Sequence, residues 1–405
     1  MSQTTFSCPH CKQLHPVSYK DLGKELYCPQ NKAALRLTRL NDYILLDVLG
    51  GGAFGIVYRA YDMHNQREVA LKQLNEKIVV PEDEFDALAR RAVKEARALA
   101  KIDFHPNVLP LYTSGCVDRR FYMVTPIIRG RTLEKMIPVG GFPDPRQAVR
   151  LAVVMLRALE HVHSFKVYHR DVKPSNVMID GNGHLFLVDF GLASFRTADT
   201  VHQTQTEMGT VLGTAAFMPP EQARGEINRV GPWSDQYSTG VVLFKMLSGA
   251  VPYPGKGYAV LGDVANDEKP PQPLRTFRPS LDPALEAVVM KSLAKFPGER
   301  FGSCAEFADR LQAWLDSQTG PAPPLPEPPP GERSGGWSRL PASSSSVVAP
   351  SEAPKNRAAY WAALTIVAAA LVAGAGYVVW QYSSTPPTPA SSLRFFDPTK
   401  KPAAP

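Results

Sequence analysis

Four side chains with complementary chemistry lie close together along the chain: Asp171, Lys173, Asn176 and Asp189. An aspartate can accept or orient the proton of a hydroxyl, and a lysine two residues later can neutralise charge building on a phosphate. An asparagine and a second aspartate supply the oxygen donors that a hard ion such as Mg²⁺ selects. Together these are the parts that phosphoryl transfer needs. They stand in the runs Tyr168-His169-Arg170-Asp171-Val172-Lys173-Pro174-Ser175-Asn176 and Asp189-Phe190-Gly191.

Such groups work only if other elements bring a phosphate to them. Leu49-Gly50-Gly51-Gly52-Ala53-Phe54-Gly55-Ile56-Val57 lies between two β-like runs, Tyr43 to Leu49 and Ile56 to Ala60. Gly50, Gly52 and Gly55 let the backbone turn tightly and bring bare N–H groups onto phosphates. A dinucleotide-binding fingerprint has similar glycines but opens a helix, whereas Val57 continues a β pattern here. Val69-Ala70-Leu71-Lys72 ends an apolar run in a lysine. Residues Pro81 to Lys101 read as a helix with Val93, Ala96, Leu99 and Ala100 on one stripe, and Glu95 is its best-placed acid.

This ordered set of motifs resembles the bacterial members of the eukaryotic-like (Hanks-type) serine/threonine protein kinase family. The resemblance implies an α+β, two-lobed fold over residues 43–316, with a small β-rich lobe (43–127) carrying one regulatory helix and a larger, mainly helical lobe (128–316). It implies ATP as phosphoryl donor and Mg²⁺, or Mn²⁺ in its place, held by Asn176 and Asp189. Lys72 would grip the α- and β-phosphates and be positioned by Glu95. Phe121 to Ile128 would be the last small-lobe strand and the hinge, with Thr125 as gatekeeper and the Pro126 carbonyl and Ile128 N–H facing adenine. Leu49, Val57, Ala70 and Met178 would sandwich the purine.

Lys173 two residues after Asp171 points, by the same resemblance, to serine and threonine acceptors. Arg170 would join a basic pocket that is neutralised when the activation segment, Asp189 to Glu221, is phosphorylated. Thr204 and Thr206 are the leading autophosphorylation candidates there. The segment closes on Gly213-Thr214-Ala215-Ala216-Phe217-Met218-Pro219-Pro220-Glu221-Gln222, similar to the closing run of bacterial kinases. Glu221 is expected to pair with Arg300, and Asp235 to brace the catalytic loop from below. Two rival functions remain: a nucleotide-binding pseudokinase scaffold, and a small-molecule phosphotransferase, against which the long activation segment argues.

Beyond the kinase-like region, residues 317–357 are rich in proline and serine and read as a tether. Residues 358–380 contain no charged side chain and as a helix would reach about 35 Å, enough to cross a bilayer. Lys355 and Arg357 precede this run and no basic residue follows until Arg394, which orients the kinase region to the cytoplasm and residues 381–405 outside. The expected location is thus the inner (plasma) membrane as a single-pass protein. Ala370 and Gly374 form a small-xxx-small pair suited to a homodimer.

At the N-terminus, residues 1–40 contain Cys8-Pro9-His10-Cys11, which resembles half of a zinc ribbon, and Cys28-Pro29 at a distance suited to the second knuckle. Asn31 stands where a fourth cysteine belongs. Two readings stay open: a Zn²⁺ site of Cys8, Cys11 and Cys28 completed by His10 or His15, or a metal-free remnant. Five cysteines with no signal peptide before them suit a reducing cytosol. The formal charge of +7 favours acidic lipid headgroups, and no interleaved basic and aromatic motif points to nucleic acid. Protein substrates are the expected partners.

Overall fold

A computed structural model describes residues 3–8, 11, 13–18, 26–30, 34–35, 37–52, 55–74, 99, 102–117, 120–190, 215–255 and 257–320. The sequence-derived expectations for Glu95, Thr204 and Thr206, the proline-rich tether from 321 onward, the apolar run 358–380 and the tail 381–405 lie outside these residues. No helix among the described residues is long and apolar enough to cross a membrane.

The chain opens with two short antiparallel pairs, β1 (Gln3–Ser7) with β2 (Leu14–Ser18) and β3 (Leu26–Tyr27) with β4 (Ala34–Leu35). Next come β5 (Arg39–Leu40), β6 (Tyr43–Gly52), β7 (Gly55–Asp62), β8 (Arg67–Leu74), β9 (Thr113–Val117) and β10 (Arg120–Thr125). They form a six-stranded antiparallel sheet in the order β5-β6-β7-β8-β10-β9. Arg39 and Leu40, grouped with the N-terminal segment on sequence grounds, are its edge strand, because Leu40 buries against the same core as Tyr43.

Strand periodicity decides which face each β8 residue takes. Val69 and Leu71 are fully buried in the small-lobe core with Val124 and Ala60. Ala70 and Lys72 therefore project from the opposite face, and Lys72 is held in register opposite Val57 on β7 and Met123 on β10.

A three-stranded sheet, β11 (Gly130–Thr132), β12 (Val177–Asp180) and β13 (Leu185–Leu187), carries the residues of the catalytic-type motifs. Residues 168–176 lead into β12, and Asp189 follows β13 closely. Asn107 bonds this sheet to the preceding segment: its carbonyl accepts from Leu187 N–H at 2.8 Å and its Nδ2 donates to the Leu185 carbonyl at 2.8 Å.

Among the described residues, five longer helices make the large lobe: α1 (Pro145–Ser164), α2 (Pro232–Ser248), α3 (Tyr258–Ala265), α4 (Pro283–Ser292) and α5 (Cys304–Asp316). α1 starts where Asp144 accepts from Arg146 N–H with Pro145 in the first turn, a favoured cap and a favoured proline position. Its buried stripe, Val149, Ala152, Leu156, Leu159 and His163, recurs every three or four residues. α2 is buried on nearly every side, which marks it as the central helix of the lobe, and it ends at Gly249 with φ +73°. The core that joins α1, α2, α4 and α5 also takes in Phe190 and Leu187 from beside the β13 sheet, while Val260 and Val264 of α3 pack in a separate cluster with Ala215 and Tyr253.

Candidate active site

The loop before β12 is fixed from beneath by one carboxylate. Asp235, fully buried in the first turns of α2, accepts from His169 N–H at 2.8 Å and Arg170 N–H at 2.6 Å, and meets His163 Nε2 at 2.7 Å. Burial by itself raises its carboxyl pKa; the His163 hydrogen bond and the neighbouring imidazole and amide groups outweigh that and hold it below the ordinary carboxylate range. The loop needs this support because Arg170 has φ +62°, a left-handed backbone that non-glycine residues seldom adopt.

Above this brace the four chemical residues gather. Lys173 Nζ lies 2.9 Å from Asp171 Oδ2. Asn176 Nδ2 donates to the Asp171 carbonyl at 2.8 Å and to Asp171 Oδ2 at 3.1 Å, so the Asn176 amide oxygen is the atom left to act as a ligand. Asp189, with φ +67°, meets Lys72 Nζ at 2.7 Å. Phe190 is buried and its ring lies 4.4 Å from that of His169, whose Nε2 meets the Val188 carbonyl at 3.0 Å. Burying Phe190 in the large lobe turns the adjacent Asp189 toward the small-lobe lysine.

The positions assigned to the base of a nucleotide are also brought together in part. β10 ends at Thr125, opposite Ala70, and Pro126 to Arg129 run as irregular chain to β11. Ile128, Met178 and Val188 pack in one apolar cluster, linking this connection to the sheet that carries Asp189. Gly50 pairs with Val57 and Gly52 with Gly55 across the β6–β7 hairpin, with Leu49 at a register irregularity between Val48 and Gly50. Gly55, at φ +151°, is required for a reason other than phosphate approach: a Cβ there would stand 2.1 Å from the Gln73 carbonyl oxygen on β8.

Residues 43–310 match the family of the protein kinase domain. The chain belongs to that family. Over 275 residues the kinase chain is 32% identical to serine/threonine-protein kinase PrkC of Bacillus subtilis, covering 68% of this chain and 41% of that protein. It is 34% identical over 285 residues to serine/threonine-protein kinase PknB of Mycolicibacterium smegmatis, covering 69% and 44%. With PknE of Mycobacterium bovis the identity is 32% over 278 residues, covering 69% and 47%. The chain thus spans less than half the length of these curated relatives.

Within the kinase domain the end of the activation segment is locked to the large lobe. Glu221 and Arg300 form a two-pronged ion pair at 3.0 and 2.9 Å, with side-chain exposures of only 2% and 0%. Arg300 donates further to the Trp233 and Ala294 carbonyls, and Ser234 Oγ donates to Glu221 at 2.7 Å, so little hydrogen-bonding capacity is stranded.

Three positioning residues escaped the sequence reading. Gln222 Nε2 donates to the Arg170 carbonyl at 3.1 Å, tying the segment's end to the catalytic loop. His163 holds Asp235, and Asn107 holds β13. His163 left a physical trace in sequence: a polar residue on the apolar stripe of α1 requires a buried partner.

Proposed function

We propose that this chain is a serine/threonine protein kinase that transfers the γ-phosphoryl group of ATP to hydroxyls of proteins. The single observation that carries the reading is the meeting of Lys72 with Asp189 beside the Asp171, Lys173 and Asn176 cluster, which draws on three separate stretches of chain: β8, the loop before β12 and the segment after β13. The acceptor oxygen forms a bond to the γ-phosphorus while the bond to the bridging oxygen breaks and ADP leaves; the hydroxyl proton passes to Asp171. Lys173, already against Asp171, offsets negative charge on the transferred group, and Lys72 holds the α- and β-phosphates. The Asp189 carboxylate and the Asn176 amide oxygen are the hard donors that fit Mg²⁺, which supplies charge neutralisation between phosphates when bound. Glu95, by the family resemblance, would steady Lys72, and the residues from Thr125 to Ile128 would receive the adenine. Nothing favours the pseudokinase scaffold, since every transfer residue is retained.

Autophosphorylation at Thr204 and Thr206 would pair with Arg170 and order the activation segment. Residues 358–380 anchor the protein in the inner membrane with the kinase domain cytoplasmic, and a pair of such helices brings two copies together for phosphorylation in trans. The lead experiment incubates the full chain with labelled ATP, Mg²⁺ and a serine- and threonine-bearing protein, followed by phosphoamino-acid analysis. Phosphoserine and phosphothreonine without phosphotyrosine support the reading. ATP binding with no labelled protein sinks it.

A further inference from the structure

The N-terminal hairpins converge on a compact donor set. Cys8 and Cys11 lie in the β1–β2 connection, His15 lies on β2 opposite Phe6, and Cys28 directly follows β3. The Cys11 and Cys28 sulfurs are 3.7 Å apart, and His15 Nε2 lies 3.1 Å from the first and 3.6 Å from the second. All four ligand atoms, Cys8 included, lie within 4.8 Å of one another. Zinc bonds of about 2.3 Å to sulfur and about 2.0 Å to nitrogen set tetrahedral donors about 3.8 Å apart for two sulfurs and about 3.5 Å for sulfur and nitrogen. The Cys11–Cys28 and Cys28–His15 spacings lie close to those values, and the Cys11–His15 spacing is shorter.

The surroundings suit a closed, structural ion. Cys8 and Cys28 are fully buried and His15 nearly so. The hairpin is closed by Cys8 N–H donating to the Gln13 carbonyl at 3.0 Å, and the Gln13 backbone N–H stands against the Cys11 sulfur, a donor that a thiolate needs. Gln30 Nε2 bonds Gln13 Oε1 at 2.6 Å, joining the two knuckles. None of the cysteines is disulfide-bonded.

We infer that Cys8, Cys11, Cys28 and His15 Nε2 form a structural zinc site, in which His15 replaces the missing fourth cysteine. The site precedes the kinase domain in sequence but packs against its small lobe. Cys8, Val17 and Cys28 share a core with Ile44 and Leu46 of β6 and Tyr61 of β7, the strands that lead to and from the glycine-rich loop. Arg59 of β7 reinforces the junction by donating to the Thr5 carbonyl on β1 while pairing with Asp47 and Glu68. Bound metal therefore fastens the N-terminal hairpins onto the small lobe.

The test is elemental analysis of the full chain purified under reducing conditions, with cobalt substitution as a second readout. The parent should hold on the order of one zinc ion per chain. His15→Ala and Cys28→Ser should reduce the content by about tenfold or more, whereas His15→Cys, which restores a four-thiolate set, and His10→Ala should keep it. Cobalt added to the metal-stripped parent should give thiolate-to-cobalt charge transfer with the visible bands of a tetrahedral ion, a result that does not depend on any variant folding. A parent without zinc and without that spectrum overturns the site. Full zinc content in His15→Ala, or its loss in His10→Ala, overturns the assignment of His15.

Discussion

Lys72 Nζ and Asp189 Oδ2 lie 2.7 Å apart although 117 residues separate them in sequence. Two local facts produce the contact: β8 alternation turns Lys72 away from the small-lobe core, and burial of Phe190 beside His169 points Asp189 back across the cleft. The positive φ of Asp189 is strain that the surrounding packing holds in place.

Replacing Lys72 with Met should lower kcat/KM by about 10²–10³-fold, as expected for loss of a charged group that stabilises the transferring phosphates. Because Lys72 and Asp189 are only partly buried, the thermal midpoint should move little. Steady-state kinetics beside a melting curve separates the two effects. Retained activity would remove Lys72 from the site.

Truncating Arg300 leaves the Glu221 carboxylate charged and buried. Arg300→Ala should cost about 3–5 kcal/mol of stability. Arg300→Lys should recover only part of it, since an ammonium cannot reproduce the fork that spans both Glu221 oxygens. Urea unfolding of the three proteins reads this directly, and a loss below about 1 kcal/mol for the alanine variant would contradict a buried, energetically coupled pair.

The acid limb of stability should depend on Asp235. Its folded-state pKa lies below the value of about 3.9 for an unfolded aspartate. Between the two values the unfolded chain binds more protons, so stability rises with pH; the contribution is complete above the ordinary carboxylate range and disappears as pH falls through the folded value. Asp235→Asn should flatten that slope and lower stability at neutral pH by about 1–3 kcal/mol, because the His169 and Arg170 amides lose a charged acceptor. Unfolding free energies measured across acidic pH for both proteins check the sign; an unchanged slope would contradict it.

Gly55→Ala should loosen the glycine-rich hairpin by driving a methyl group into the Gln73 carbonyl at an unfavourable φ. About 1–3 kcal/mol of local strain is expected, with weaker nucleotide binding by calorimetry. Gly51→Ala, where the nearest atom would be 3.9 Å away, is the matched control and should bind as the parent does.

The sequence carried much of this architecture because its strongest signals are local. The glycine hairpin, the alternation at Val69 to Lys72 and the loop from His169 to Asn176 are each legible within a dozen residues. What stayed hidden depends on contacts between distant segments. Gln222 reaches the Arg170 carbonyl only after the chain folds back, and no spacing announces that. The choice between His10 and His15 was equally undetermined by counting; the β1–β2 register, which sets His15 opposite Phe6, brings its ring to Cys11 and Cys28. The pairing of Arg39 and Leu40 with β6 was likewise not legible, because a two-residue edge strand has no periodicity to read.

Intact-mass measurement after incubation with Mg²⁺ and ATP is the most direct test of the kinase assignment, comparing the full chain with its Asp171→Asn form. The parent should gain the mass of one or more phosphoryl groups, mapping first to Thr204 and Thr206, while the variant stays at its starting mass. Equal masses for the two proteins, with nucleotide bound to both, would contradict phosphoryl transfer by this site.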